Sequence, residues 1–272
     1  MKSDYAYVRT DTDRGVVTLT LCRPQSANAM NREMVEEINL VLDEVEHDES
    51  VRALIVTGAG AAFSSGFDLK QQAERRPTGV AVWKEMLDLY SGTIMRFWHF
   101  EKPTIAAING ACMAGAFELA LACDVSVASS KAVFGEPELQ FGAGIVAMLL
   151  PWFTSPKIAK RVILLGQDKI TAEEALATGL VSHISPEDRL LDDVRGFALK
   201  MSRVDPYLMR QTKAAINRAY EVMGMYRAVS EAVEMDVQVE SSGTVEKHAF
   251  LDIVMRDGMK EALRWRNERF AD

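Results

Sequence analysis

Apolar and polar positions along this chain follow two periods, and the point where the alternation of periods stops divides it. Gly15-Val-Val-Thr-Leu-Thr-Leu-Cys22 is a β-branched run closed by Arg23-Pro24 and reads as a strand. From Asn31 to Asp48 the positions of Met34, Ile38, Val41, Leu42 and Val45 take helical spacing, with Asn31 as the N-cap. Val51-Arg-Ala-Leu-Ile-Val-Thr57 predicts a second strand, stopped at Gly58, and Ala61-Ala-Phe-Ser-Ser-Gly-Phe-Asp-Leu69 a loop of small residues. A helix around Val82 to Phe100 precedes a strand over Pro103-Thr-Ile-Ala-Ala-Ile-Asn-Gly110, which leads into a helix carrying Glu118. Asp124 to Ala128 and Lys131 to Leu139 are further strand candidates. Strands alternating with helices require crossover connections, so an α/β fold with a mostly parallel, helix-covered sheet is expected.

Beyond Leu190 the alternation ends. Leu191 to Met201, Tyr207 to Met223, Met225 to Glu240, Val245 to Met255 and Met259 to Phe270 all read as helix. The expected organisation is an α/β core over residues 1–195 and a helical region over 196–272. A helical region of that size sits at the lower end of domain size and packs on its own core or on neighbours, which points to self-association. No internal repeat or low-complexity linker interrupts the chain.

Composition narrows the function classes. The 272 residues are 48% hydrophobic, but no run of about 18 uncharged apolar residues occurs, so a membrane-spanning helix is not expected. Met1-Lys-Ser-Asp-Tyr5 lacks the charged start and apolar stretch of a secretory signal. Cys22, Cys112 and Cys123 have no metal-ligand spacing and leave one over in any disulfide scheme, which fits a reducing cytoplasm. A net charge of -8, from 39 acids and 31 bases, disfavours nucleic acid as a partner. Arg264, Arg266 and Arg269 are interleaved with Glu261 and Glu268 on a helix, the pattern of a solvated or subunit-facing surface.

Two glutamates stand in surroundings that suggest chemistry. Glu118 is the only charge in Gly110-Ala-Cys-Met-Ala-Gly-Ala-Phe-Glu-Leu-Ala-Leu-Ala-Cys123, and Glu138 follows a proline in Phe134-Gly-Glu-Pro-Glu-Leu139. A carboxylate inside an apolar helix must be neutral, paired or solvated by a pocket; the competing reading turns Glu118 to solvent at the helix start, where an acid suits the dipole. An unperturbed glutamate, with a pKa of about 4.3, keeps its proton in only about one molecule in 500 at pH 7, so a carboxyl acting as an acid needs burial or a neighbouring charge. Two glycine-containing turns follow strands, Ser65-Gly66-Phe67 and Ala114-Gly115-Ala116. Facing one point, their amides could hold a carbonyl oxygen, with Glu118 one helical turn beyond Gly115. Small residues there also serve close packing alone.

Other motifs fare worse. Gly58-Ala-Gly60-Ala-Ala-Phe63 has Phe63 where a dinucleotide fingerprint needs its third glycine. Ala62-Phe-Ser-Ser-Gly66 lacks the first glycine of a nucleophile elbow. His47, His99, His183 and His248 are scattered without metal spacing.

Arg23-Pro24, Asn28-Ala29-Met30, Ala62 to Leu69, Lys102-Pro103, Ile105 to Gly110, the Glu118 helix and Pro137-Glu138-Leu139, in this order and spacing, resemble the crotonase family of enoyl-coenzyme A hydratases and isomerases. The similarity runs from about Tyr7 through Gly179-Leu-Val-Ser182 to Asp257-Gly-Met259. The resemblance implies a spiral of ββα units with a helical trimerisation region, often stacked as hexamers, and an acyl-coenzyme A substrate. By the same resemblance the amides of Phe67 and Gly115 hold the thioester oxygen. Glu118 and Glu138 hold a water, which Glu118 chiefly activates while Glu138 delivers a proton to the α-carbon. Ser26, Ala27, Ser65, Asp68 and Lys70 match positions near coenzyme A, with Lys70 offsetting phosphate charge. Possession of both glutamates favours reversible hydration of a trans-2-enoyl thioester, with no metal or redox cofactor. Departures also stand out. Gly142-Ala-Gly-Ile-Val-Ala-Met148 replaces the usual Pro-Gly-x-Gly-Gly stretch, Phe67 replaces a frequent alanine, and Ala262 and Trp265 replace an aromatic and a lysine often found against coenzyme A. The alternatives are another enolate reaction on the same scaffold (isomerisation, dehydration of a specialised hydroxyacyl thioester or thioester hydrolysis), or a non-catalytic acyl-coenzyme A-binding assembly protein.

Overall fold

The computed structural model describes residues 4–271. In chain order it begins with β1 (Val8–Asp13), β2 (Val16–Leu21) and α1 (Arg32–His47), then β3 (Ala53–Gly58), β4 (Ala62–Ser64), α2 (Leu69–Arg75) and α3 (Val80–His99). Next come β5 (Thr104–Ile108), β6 (Ala111–Met113), α4 (Gly115–Ala122), β7 (Val125–Ser129) and β8 (Val133–Gly135). The short helices α5 (Leu150–Phe153), α6 (Pro156–Leu165) and α7 (Ala172–Ala177) surround β9 (Ile170–Thr171), and β10 (His183–Ser185) precedes α8 (Leu190–Met201). The chain ends in α9 (Pro206–Val222), α10 (Met225–Ser242), α11 (Val245–Asp257) and α12 (Met259–Arg269).

Strand pairs alternate between two sheets. The larger has the order β1-β2-β3-β5-β7-β10 and the smaller β4-β6-β8-β9. The first member of each of the pairs β3/β4, β5/β6 and β7/β8 thus joins the larger sheet and the second the smaller. Neighbours are parallel except β1 with β2 and β8 with β9. This is the ββα spiral that the family resemblance implied. The corners between sheets are too tight for side chains. A Cβ on Gly58 would lie 2.2 Å from the Ala62 carbonyl oxygen, and one on Gly110 only 1.9 Å from that of Ala61. Asn109 pins the same corner, its amide group donating to Gly60 O at 2.9 Å while its Oδ1 accepts from Gly58 N at 3.2 Å.

The unbroken apolar run of β3 reflects burial on both faces. Leu54 and Val56 meet the α1 stripe of Met34, Ile38, Val41, Leu42 and Val45, while Ala53 and Ile55 join a second cluster with Leu190, Val194 and Ala198 of α8. The N-cap at Asn31 is as expected, its side chain accepting from Met34 N. Asn28 is fully buried at φ 53; its amide group donates to Ala59 O and Ala62 O, both at 2.8 Å, and its Oδ1 accepts from Arg23 N. That network explains an asparagine in Asn28-Ala29-Met30: it ties the loop after β2 to the β3/β4 corner.

Several expectations change. The segment expected as loop from Ala61 to Leu69 contains β4, and the strand expected over Lys131 to Leu139 covers only Val133–Gly135. Pro137 cannot donate to a ladder, and the chain turns there into a 3-10 helix over Glu138–Phe141. The cations expected at the surface near the C-terminus include one that is not there. Arg266 is 7% exposed and pairs with Asp168 at 2.6 Å, docking α12 on the turn after α6.

The four last helices pack on the core of the same chain. Lys213 of α9 reaches Asp124 at 2.7 Å, and Asn217 donates to Trp98 O at 2.8 Å. Val233 and Val237 of α10 meet Trp83 and Leu87 of α3, while Phe250 and Val254 of α11 pack with Ala73 of α2 and Phe141. Their outer faces leave Tyr207, Ile216, Met223 and Met235 more than half exposed.

Candidate active site

Adjacent parallel strands place two loops side by side. β4 and β6 pair through Ala62 with Ala111 and Ser64 with Cys112, so the chain leaves both at the same edge. Gly66, at φ 88, lies so near the second loop that a Cβ on it would sit 2.8 Å from Ala114 Cβ and 3.4 Å from the Gly115 amide nitrogen. Phe67 forms a parallel bridge with Met30. The bonds of that bridge run from Met30 N to Gly66 O and from Asp68 N to Met30 O, so the Phe67 amide points to the other side. Gly115 is the first residue of α4, where an amide has no intrahelical acceptor. Among the described residues neither amide donates to another group.

Ala114 holds the second turn at φ 57 and ψ -138, a strained conformation for a residue with a side chain. Its amide donates to Gly135 O at 2.8 Å, and its carbonyl accepts from Phe117 N at 2.7 Å. The Phe67 ring stacks on Tyr90, with centroids 4.1 Å apart and planes 7° from parallel, and its edge covers the α-carbon of Gly115.

Glu118 faces inward. It is 1% exposed; its Oε1 accepts from Ala147 N at 2.8 Å and its Oε2 has no partner. Glu138, 6% exposed, opens the 3-10 turn. Burial pushes the Glu118 carboxyl well above the usual range, with the Glu138 charge acting in the same direction and the Ala147 amide opposing. Burial likewise raises Glu138, to about 7, opposed by hydrogen bonds from its own turn and from Glu136. The two carboxyls therefore titrate together.

Residues that sequence reasoning missed complete this surrounding. Glu136, 1% exposed, is pushed well up by burial and by both glutamates. Neither of its carboxyl oxygens receives a hydrogen bond, so an ionised Glu136 would be buried without a donor and the protonated form is favoured. Its only signal was a second acid in Gly135-Glu-Pro-Glu138. Asp236 and Glu240 of α10 and Lys247 of α11, all buried, lie on the other side of the 142–148 loop. Two acids interrupting the stripe of Val229, Val233 and Val237 were the available sign.

The positions matched to coenzyme A line the outer rim. Ser26 ends a 3-10 turn, and Ala27, at φ 48, accepts from the Ser65 amide at 3.0 Å. Ser65 and Lys70 are exposed. The Asp68 carboxylate caps α2 through Lys70 N and Gln71 N and pairs with Arg23 at 2.7 Å, so it shapes this rim from beneath. The Gly58-Ala-Gly60 turn enters β4 instead of a helix, which removes the dinucleotide reading.

The sequence matches the model of a family described as enoyl-CoA hydratase/isomerase over residues 11–251. The short-chain-enoyl-CoA hydratase of Clostridium acetobutylicum is 29% identical over 257 residues, 91% of this chain and 89% of that protein. The 2,3-dehydroadipyl-CoA hydratase of Escherichia coli is 34% identical over 215 residues, 76% and 80% of the two chains. A crystal structure of an enoyl-CoA hydratase/isomerase from Xanthobacter autotrophicus Py2 superimposes with a TM-score of 0.97 at 49% identity, covering 99% of this chain and 100% of that one. Sequence, topology and motif order thus lead to the same place: the chain belongs to the enoyl-CoA hydratase/isomerase family and is a crotonase-fold enzyme.

Proposed function

We propose that the protein adds water reversibly to trans-2-enoyl-CoA thioesters, giving 3-hydroxyacyl-CoA. The observation that carries this reading is the pair of buried glutamates: Glu118, one helical turn beyond Gly115, and Glu138, whose charge bears on Glu118. The thioester oxygen is taken by Phe67 N–H and Gly115 N–H, which stabilise the charge that moves onto it as the enolate forms. Removal of one such donor costs about 100- to 1000-fold in kcat. Water loses a proton to one carboxylate and its oxygen bonds to C3; the other carboxyl gives its proton to C2. The sum is one water added, with no change of oxidation state, so no redox partner is needed.

Burial raises both carboxyls, so the pair keeps a proton that an unperturbed glutamate would release, and either the split implied by resemblance, with Glu118 as base, or its reverse draws on that shared proton. Both splits require both groups. The test is loss of the conjugated enoyl-thioester absorbance on adding enzyme, with product mass recorded. Glu118→Gln and Glu138→Gln each lower turnover by about 100- to 10,000-fold, and full activity in both would falsify the mechanism.

In this reading the rim at Ser26, Ala27, Ser65 and Lys70 receives the nucleotide half of coenzyme A, with Asp68 holding the rim in shape. The exposed apolar face of α9 and α10 serves association into trimers or pairs of trimers. Three free cysteines, two of them buried, fit a cytoplasmic setting.

A further inference from the structure

Helix α10 sends two acids inward, four residues apart. Glu240 is fully used: its Oε1 accepts from Gly144 N at 3.1 Å, and its other oxygen is in direct contact with the Lys247 ammonium, which also lies 4.4 Å from the Trp83 ring centroid. Asp236 is different. It is 4% exposed, and neither carboxylate oxygen has a hydrogen-bond partner.

Its position is set by Gly144. A Cβ on that glycine would fall 1.7 Å from Asp236 Oδ1, so the carboxylate rests on the backbone of the loop whose Ala147 amide holds Glu118. Its charge reaches both Glu118 and Glu138. The same face of α10 packs only apolar side chains nearby, Val233 meeting Trp83 and Leu87 with Val146 of the loop. Burial raises Asp236 only to about 6, with Lys247 opposing, so above that pH it is an anion that lacks a donor.

The charge around it selects the kind of donor. Asp236 and Glu240 stand against Lys247, which burial lowers to about 7, and the neighbouring Glu118, Glu136 and Glu138 bring no positive charge in either protonation state. A chain ending in carboxylate is repelled there, whereas a neutral hydroxyl or an amine is drawn in.

We infer that the acyl end of this site takes enoyl thioesters whose chain carries a hydrogen-bond donor, a hydroxyl or an amine, with Asp236 as its acceptor. The inference deepens the proposed hydration and rests on the same pocket. It separates this chain from a relative such as the 2,3-dehydroadipyl-CoA hydratase, whose name specifies a dicarboxylic acyl group.

The experiment uses the full chain and four length-matched trans-2-enoyl-CoA thioesters ending in methyl, hydroxyl, amine or carboxylate. For each, kcat/KM is measured, and binding of the saturated, unreactive counterpart is measured by calorimetry. A hydroxyl or amine end is expected to exceed the methyl end by about 100-fold, the worth of a hydrogen bond to a buried charge, with carboxylate at or below methyl. In Asp236→Ala the ratio collapses to about one, and in the near-isosteric Asp236→Asn, which still accepts but carries no charge, to about tenfold. Circular dichroism shows whether each variant folds, and Asp236→Asn keeps the test alive if the alanine variant does not. Equal handling of methyl and hydroxyl ends, a preference for carboxylate, or a ratio that survives in Asp236→Ala overturns the inference. If no thioester is hydrated while the saturated hydroxyl or amine thioester still binds about 100-fold tighter than the methyl one, the hydratase reading fails and the acceptor role of Asp236 stands.

Discussion

Adding one methyl group at Gly115 tests how the proposed oxyanion site is built. A Cβ there would lie 2.3 Å from Phe67 Cε2 and 2.6 Å from Cδ2. The ring has little freedom to retreat, because it is stacked at 4.1 Å on Tyr90, which is 8% exposed and packed into the main core. Two effects oppose each other in Gly115→Ala. Stiffening the unfolded chain favours alanine by about 0.4–1 kcal/mol. Overpacking a stiff aromatic costs about 1–3 kcal/mol. The clash wins, for a net loss of about 1–2 kcal/mol and a fall in Tm of roughly 3–6 °C for a chain of this size.

Relief of the clash moves either the ring or the Gly115 amide. Displacement of that amide removes much of one proposed oxyanion donor, lowering kcat by about 100-fold or more. Phe67→Ala retains its own amide and removes the obstacle, so in the double variant Gly115→Ala, Phe67→Ala the alanine at position 115 is tolerated. The expected coupling is about 1–2 kcal/mol in favour of the double variant. Thermal melts and enoyl-thioester turnover of the four proteins in this cycle measure it. A Gly115→Ala protein as stable and active as its parent, or a double variant no better than the sum of the singles, refutes the argument.

The buried acids make a pH signature. Glu138 is raised from 4.5 to about 7, so between those values the folded state keeps a proton that the unfolded chain releases; this contribution is complete below about 4.5 and is lost by about 7. It amounts to about 3 kcal/mol, and the upward shifts of Asp236, Glu118 and Glu136 act in the same direction. Denaturant midpoints should therefore fall from pH 5 to pH 7.5, and Glu138→Gln should be the more stable protein at pH 7.5 while losing turnover; a flat wild-type profile contradicts this. Asp68→Ala removes both the α2 cap and the Arg23 partner and should cost about 1–3 kcal/mol, with KM rising more than kcat falls. An unchanged Tm and KM would show that the rim does not depend on it. Gly144→Ala drives a methyl against Asp236 Oδ1, displaces the loop from Glu118 and should lower kcat about tenfold or more; turnover at the parent rate would mean that the loop position is immaterial.

What could be read from residues alone followed the range of the forces involved. The α1 stripe and its Asn31 cap are local, and so is the apolar run of β3, so all were legible. β4 and β6 were not, because strands of three residues have no period and exist through pairing with each other and with β8. Glu118 stood out because every neighbour in its helix is apolar. Asp236 did not, since α10 also carries Glu231 and Glu234, and only the contact with Gly144 separates the inward acid from its solvated neighbours. Glu136 was hidden for a related reason: beside Pro137 and Glu138 it resembles any polar turn, until β8 and α4 enclose it.

The departure of residues 142–148 from the usual hydratase pattern and the inward polar residues of the tail form one arrangement. The loop has little structure of its own, and its backbone is held from outside. Thr244 Oγ1 donates to Gly142 O at 2.9 Å, Glu240 accepts from Gly144 N, and a Cβ on Gly142 would come within 2.8 Å of Lys247 N. The same loop then presents Ala147 N to Glu118 at 2.8 Å. Three short steps therefore connect the α10–α11 junction to a proposed catalytic carboxyl. A tail that served association alone would have no need to bury two acids and a lysine, each costly to desolvate, against this loop. Their presence there is accounted for if α10 and α11 are a wall of the acyl pocket: they fix the loop that orients Glu118, and Asp236, left without a partner of its own, faces the chain of the substrate.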